Sequence, residues 1–138
     1  LCSLPIPSQH LLVLLFGTFS MISESADSFG SRMTAEALGI SVAPSLFHSC
    51  IHDGQRAKME DVMRFKIASE ITSRIIQNFG YTSLFPRDCY EFYARITGRM
   101  LGDDENDSRL RFAIPASKIS HIPHSLFSFY LGILPGKT

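Results

Sequence analysis

An all-helical fold is what this sequence predicts, and three observations predict it. The run from Gln9 to Ser23 is apolar nearly all round, as the central helix of a helical domain is. From Glu60 to Phe79 the apolar residues Met63, Ile67, Ile71, Ile75 and Phe79 recur every four positions. Between them, Thr34 stands where a cap would open a short helix of good helix formers, Ala35-Glu36-Ala37-Leu38.

The first helix follows an extended start, because Pro5 and Pro7 discourage helix before Ser8, which is placed as its cap. Gly17 in its middle costs about 1 kcal/mol relative to Ala, so it marks close packing of a neighbour. A spanning helix needs roughly 20 continuous apolar residues, and Leu11-Phe16 with its continuation falls short of that, so no integral membrane segment is expected. A signal-peptide reading, with Ser23-Glu24-Ser25-Ala26 near a cleavage site, lacks the preceding Lys or Arg. Ser23 to Ser31 then reads as a polar loop anchored by Phe29.

Met33 to Phe47 is expected to be the central strut. Glu36 suits the electropositive first turn. Gly39 and Ile40 weaken continuation, and Pro44 disfavours helix at Ala43, so the helix should end near Val42 or Ala43. His48 to Lys58 follows as a solvent-facing loop. Its His48, Cys50, His52 and Asp53 invite a metal reading, but no second ligand pair recurs at a zinc spacing, and no metal is assigned.

In the helix from Glu60 to Phe79 the period-four row, widened by Val62, Ala68 and Ile76, is expected to face the core. Glu70 and Arg74 form an i,i+4 pair in the favourable order, and Gly80 is placed as the C-cap. A fourth helix should run from about Pro86 to Arg99, turning Cys89, Phe92, Tyr93 and Ile96 inward. Asp103 to Asp107 is a charged break without a calcium-loop frame. The chain therefore divides into a helical domain over residues 1–102 and an acidic break with a divergent apolar tail over 103–138. The uncharged stretch His124 to Leu134 either returns to the core, as a helix or a pair of strands, or is a foreign end that promotes self-association; the second is favoured.

With 138 residues there is enough chain for one hydrophobic core. Thirteen basic and thirteen acidic residues cancel, which gives no support for a nucleic-acid or anionic-membrane partner. Three widely spaced cysteines, Cys2, Cys50 and Cys89, make no disulfide framework and point to a reducing compartment. Opening on Leu1, the chain reads as a piece of something longer. No nucleophile elbow, zinc-protease motif, phosphate loop or paired-carboxylate pattern occurs, so no catalytic residue and no cofactor is assigned. Arg32, after Gly30-Ser31, and Arg56, after Gly54-Gln55, are placed where an exposed arginine could reach another protein's nucleotide, but both read as solvated loop charges.

Met33-Thr34-Ala35, Leu38 and Ala43-Pro44-Ser45-Leu46 resemble the segment of the Rho GTPase-activating domain in which a short helix runs into a proline and a leucine. Leu4-Pro5, the leucines from Leu11 to Leu15, Phe16, Phe19 and Ile22 resemble the helix upstream of it, and Glu60 to Phe79 the late helix after it, over roughly residues 1–85. The resemblance implies a partial domain of that all-helical kind, a Rho-family small GTPase as partner and a cytoplasmic location. It implies a GTPase-facing surface at Ser31, Arg32, Thr34 and Ala37, with Leu38, Pro44 and Leu46 structural. The family's arginine finger belongs upstream of Leu1, so little or no activity is expected of this chain. The alternatives are a catalytically silent binding module or a poorly folded fragment. Ala37 and Ser31 stand where the family usually has asparagines, and an alanine side chain makes no hydrogen bond.

Overall fold

A computed structural model describes residues 1–47, 58–104 and 107–115. Four helices, α1 (Ile6–Glu24), α2 (Ala35–Leu46), α3 (Met59–Gln77) and α4 (Arg87–Thr97), are followed by two strands, β1 (Met100–Asp104) and β2 (Asp107–Ala113). The fold is thus predominantly helical, but the expected all-α class is corrected by an antiparallel β1–β2 hairpin. The boundary drawn at 102/103 falls inside β1.

Helix α1 starts earlier than expected. Pro5 rather than Ser8 is the N-cap residue, and Pro7 sits in the first turn, where its missing amide costs nothing. Gln9 is buried and its Nε2 donates to the carbonyls of Cys2 (3.1 Å) and Leu4 (2.6 Å), tying the first residues to the helix. Val13 and Phe16 are core residues, with Leu12, Leu14, Phe19 and Ile22 packed against them. By length and composition α1 could cross a bilayer; here one face of it is built into the core.

Helix α2 opens where expected, the Thr34 hydroxyl accepting the Ala37 amide at 3.3 Å. It does not stop before Pro44 but carries the proline in its last turn and closes with Phe47 N–H donating to the Ala43 carbonyl at 2.9 Å. A proline so near the end sacrifices a single helical bond, which explains how the helix passes it. Helix α3 ends at Gln77 with Asn78, two residues before Gly80, as its C-cap residue. In α4, Pro86 is the N-cap residue, and Gly98, in the left-handed conformation (φ 64°), ends the helix before Arg99. Cys89 and Tyr93 turn inward as expected and Phe92 is half-buried; Ile96 is exposed, and Tyr90 is fully buried instead.

The strut is not the centre. The core gathers around Phe79, whose ring stands edge-on to Phe85, Tyr90 and Tyr93 at centroid distances of 6.4, 5.3 and 5.2 Å. From β2, Leu110 and Phe112 join this cluster while Asp107, Ser108 and Arg111 stay exposed, the period-two pattern of a half-buried strand. Leu110 N–H donates to the Gly80 carbonyl at 3.0 Å, so the hairpin is bonded to the turn after α3. Gly80 has φ 106°, and a Cβ there would stand 2.7 Å from the Leu110 carbonyl oxygen; only glycine fits. On the other side Arg87 grips Asp103 with two bonds, 2.8 and 3.2 Å, and thereby holds the Asp103 carboxyl below its usual range.

Candidate docking face on α2 and α3

Helix α2 packs chiefly against α3, and the seam between them is made of small residues. Gly39 and Ala43, one turn apart on α2, are buried, and so are Ala68, Ser69, Thr72 and Ser73 on α3. A Cβ on Gly39 would sit 2.7 Å from the Ser69 carbonyl oxygen, a measure of how closely the two backbones approach. Two of the buried hydroxyls bond back within α3, Ser69 Oγ to the Phe65 carbonyl (2.9 Å) and Thr72 Oγ1 to the Ala68 carbonyl (2.8 Å), so both are buried without losing hydrogen bonds.

Of the stripe expected to face the core, Ala68 and Ile76 are buried as expected, but the N-terminal members of its period-four row turn outward. Met59, Met63, Ile67 and Ile71 are 79%, 55%, 54% and 44% exposed, while Ile76 is fully buried. Ile67 and Ile76 are nine positions, two and a half helical turns, apart and so point in opposite directions. Met63, Ile67 and Ile71 of the period-four row lie on the outer face of α3, not its core face. Val62, expected to widen the core stripe, is also exposed; Ile75 is half-buried, and Phe79 is buried beyond the helix end.

The residues that the resemblance assigned to a GTPase-facing surface lie in the connection before α2 and in its first turn. Ser31 and Arg32 lie exposed in the α1–α2 connection, the Ser31 hydroxyl accepting the Met33 amide at 3.4 Å. Thr34 is exposed as the cap and Ala37 half-buried on the first turn. Among the described residues Arg32 makes no ion pair. These four therefore share one short stretch of surface at the start of α2. Leu38 is buried in the core cluster; Pro44 and Leu46 are half-buried. Arg56, the loop set His48, Cys50, His52 and Asp53, and the tail 124–134 lie outside the described residues. Among the described residues no cluster of three metal-ligating side chains occurs.

Sequence reasoning missed two members of this face. Gln77 Nε2 donates to Glu36 Oε1 at 3.0 Å, joining the end of α3 to the start of α2. The Glu36 carboxyl is held below its usual range, first by its own backbone amide at the helix start, then by the Thr34 hydroxyl and Gln77. Beside that bridge runs an open, mainly apolar groove of about 540 Å³ between the helices, lined by Ile40, Val62, Phe65 and Lys66 among others. The signal for the close seam was present in the small residues at helical spacing on both helices.

The arrangement offers surface rather than chemistry: one loop cation, a fixed carboxylate, an apolar groove and the apolar outer face of α3. No protein-family model, curated protein or solved structure matches the chain.

Proposed function

We propose that the chain is a catalytically silent interaction module of the Rho GTPase-activating type, corresponding to the C-terminal half of such a domain and acting in the cytoplasm. The observation that carries this reading is that Ser31, Arg32 and Thr34 are exposed on the approach to α2 and Ala37 half-buried in its first turn, on a helix packed closely against α3. The order of the elements supports it as well: an apolar helix, a capped short helix running through Ala43-Pro44-Ser45-Leu46, then a long helix.

In this reading α1 and the α2–α3 pair present a preformed surface to the switch regions of a small GTPase. A complete activator also inserts an arginine that neutralises charge on the transferring phosphoryl, worth about 10³ to 10⁵ in rate. The reading assigns that arginine to no residue of this chain, so the module binds without accelerating hydrolysis and needs no cofactor. The outer face of α3, with Met63, Ile67 and Ile71 open to solvent, fits the same reading as the seat of the remaining helices of such a domain.

The test is titration of the folded chain against Rho-type GTPases carrying GDP and aluminium fluoride. Saturable binding that Arg32→Glu weakens by tenfold or so supports the reading, that loss corresponding to about 1.4 kcal/mol. Absence of binding by a cooperatively folding chain overturns it. Strong single-turnover stimulation of GTP hydrolysis would overturn the silent part alone.

A further inference from the structure

The outer face of α3 has a symmetry of its own. Its centre is Ile67, with Met63 four residues before it and Ile71 four after, all open to solvent. Seven residues either side of Ile67, close to two helical turns, stand Glu60 and Arg74, and three residues either side stand Arg64 and Glu70. These residues therefore share one face, Glu60 and Arg74 within about 20° of the line through Ile67, Arg64 and Glu70 about 60° away at its edges. Apolar residues lie at matching distances from the centre. Each charge is matched at the same distance by its opposite.

The charges of this face are already held in pairs within the helix, Glu60 by Arg64 and Glu70 by Arg74. Each bond uses one carboxylate oxygen, Oε1, and one guanidinium nitrogen, Nη2, and the side chains stay largely in water, Glu60 69% and Arg74 71% exposed. The face is thus neutral, as the whole chain is, and a second copy approaching it meets no net repulsion. The symmetry also selects an orientation. In a copy running antiparallel, with Ile67 against Ile67, Glu60 comes level with Arg74 of the second copy and Met63 with its Ile71. A parallel copy sets acid level with acid and base with base.

We propose that this face pairs two copies of the chain through antiparallel α3 helices, with the two-fold axis passing beside Ile67 and a Glu60–Arg74 contact between copies at each end. An isologous contact requires a surface that matches itself when reversed, and this row does so residue by residue. The apolar centre supplies the attraction and the charges at either end fix the direction. Contact along a single helix buries little area, so the pairing is reversible rather than obligate. It does not rest on the GTPase reading, which seats further helices of a complete domain here; a second copy's α3 takes their place.

Sedimentation velocity of the full chain over a concentration series tests it. The wild type should pass reversibly from monomer to dimer as concentration rises. Ile67→Lys, which sets two ammonium groups at the axis, should abolish the dimer. Glu60→Arg and Arg74→Glu should each weaken it about tenfold, because each turns two opposite-charge contacts into two like-charge ones. The double variant Glu60→Arg/Arg74→Glu restores opposite signs and should recover most of that loss, and a mixture of the two single variants should pair more tightly than either alone. Unfolding of each variant, followed at a concentration too low for pairing, separates a lost contact from a lost fold. A folded wild-type chain that stays monomeric throughout, a dimer unmoved by Ile67→Lys, as one joined through residues 124–134 would be, or charge reversals that do not rescue each other would overturn the proposal.

Discussion

Around Phe79 the chain packs ring against ring: α1 and α4 flank the cluster, and β2 covers it with Leu110 and Phe112. Between α2 and α3 it packs small residue against small residue and leaves the far side of α3 open, with Met63 and Ile67 more than half exposed. Both regions hold buried polar groups, and among the described residues every buried side-chain nitrogen and oxygen has a partner. The difference is in what each has left to offer. The aromatic end has spent its apolar surface on itself, whereas the helix pair has used its smallest residues to hold together and kept its largest ones outside.

The largest effect that sharpens this contrast is expected at Phe79. It is 4% exposed and touches four other rings, so Phe79→Ala should cost about 3 to 5 kcal/mol and leave much of the chain unfolded. Loss of the cooperative urea transition, or its shift to much lower denaturant, checks this. A cost below about 1 kcal/mol would mean that the cluster is not the core.

The two buried helix glycines test how much each region can yield. Alanine gains about 1 kcal/mol of helix propensity at either position. At Gly17 its Cβ would meet Tyr93 at 2.3 and 2.5 Å and Phe79 at 2.9 Å, rings that are themselves buried in the core. At Gly39 it would meet the Ser69 carbonyl oxygen at 2.7 Å and Ser73 Cβ at 3.1 Å. There α3 has an open back and can shift outward. Gly17→Ala is therefore expected to destabilise by about 1 to 3 kcal/mol and Gly39→Ala by less. Denaturant midpoints of the two variants decide it; the reverse order would break the distinction between a closed and an open region.

A further test concerns Tyr90, where the aromatic end meets the turn after α3. Its hydroxyl donates to the Tyr81 carbonyl at 2.7 Å and accepts the Gly80 amide at 3.2 Å. Tyr90→Phe leaves both backbone groups without that partner, at a cost of about 1 to 3 kcal/mol. Burial pushes the phenol up to about 12 from 10. The folded state therefore holds this proton more tightly than the unfolded state does. Its contribution to stability is whole below pH 10 and is lost as the pH rises from 10 towards 12. Tyr93, raised mainly by burial, and Tyr81, raised mainly by its bond to Asp107, add to the same alkaline decline. Stability measured against pH should fall less steeply in Tyr90→Phe than in wild type.

The sequence foretold the helices better than their faces. The Thr34 cap, the extent of α3 and the Glu70–Arg74 pair, 2.6 Å apart, were legible because each rests on local chemistry. Which face of α3 turns inward was not, because a period-four row says only which residues lie together. Apolar volume argued for Met63, Ile67 and Ile71; close approach to Gly39 favoured Ser73 with Ser69 and Thr72, the last two bonding their hydroxyls within their own helix. The hairpin escaped because the acids at Asp103, Asp104 and Asp107 read as a break, although Leu110 and Phe112 already alternate with Arg109 and Arg111. Of the candidate docking face, the Thr34 cap was legible from local chemistry, and the Glu36–Gln77 bridge, which joins residues 41 positions apart, was not.

The smallest expected effect on stability is the one that bears most directly on function. Ile67 is 54% exposed on the outer face of α3, between Met63 and Ile71. Substitution to lysine there puts a charge into water, with Glu70 three residues on as a counter-charge, and removes no core contact. Ile67→Lys should change the unfolding free energy by no more than about 0.5 kcal/mol, while reducing the binding of an apolar dye and any association through this face, read by fluorescence titration and sedimentation velocity. A loss of 2 kcal/mol or so would place Ile67 in a packed environment within the chain itself. The outer face of α3 would then be core, and the open side of the comparison would close.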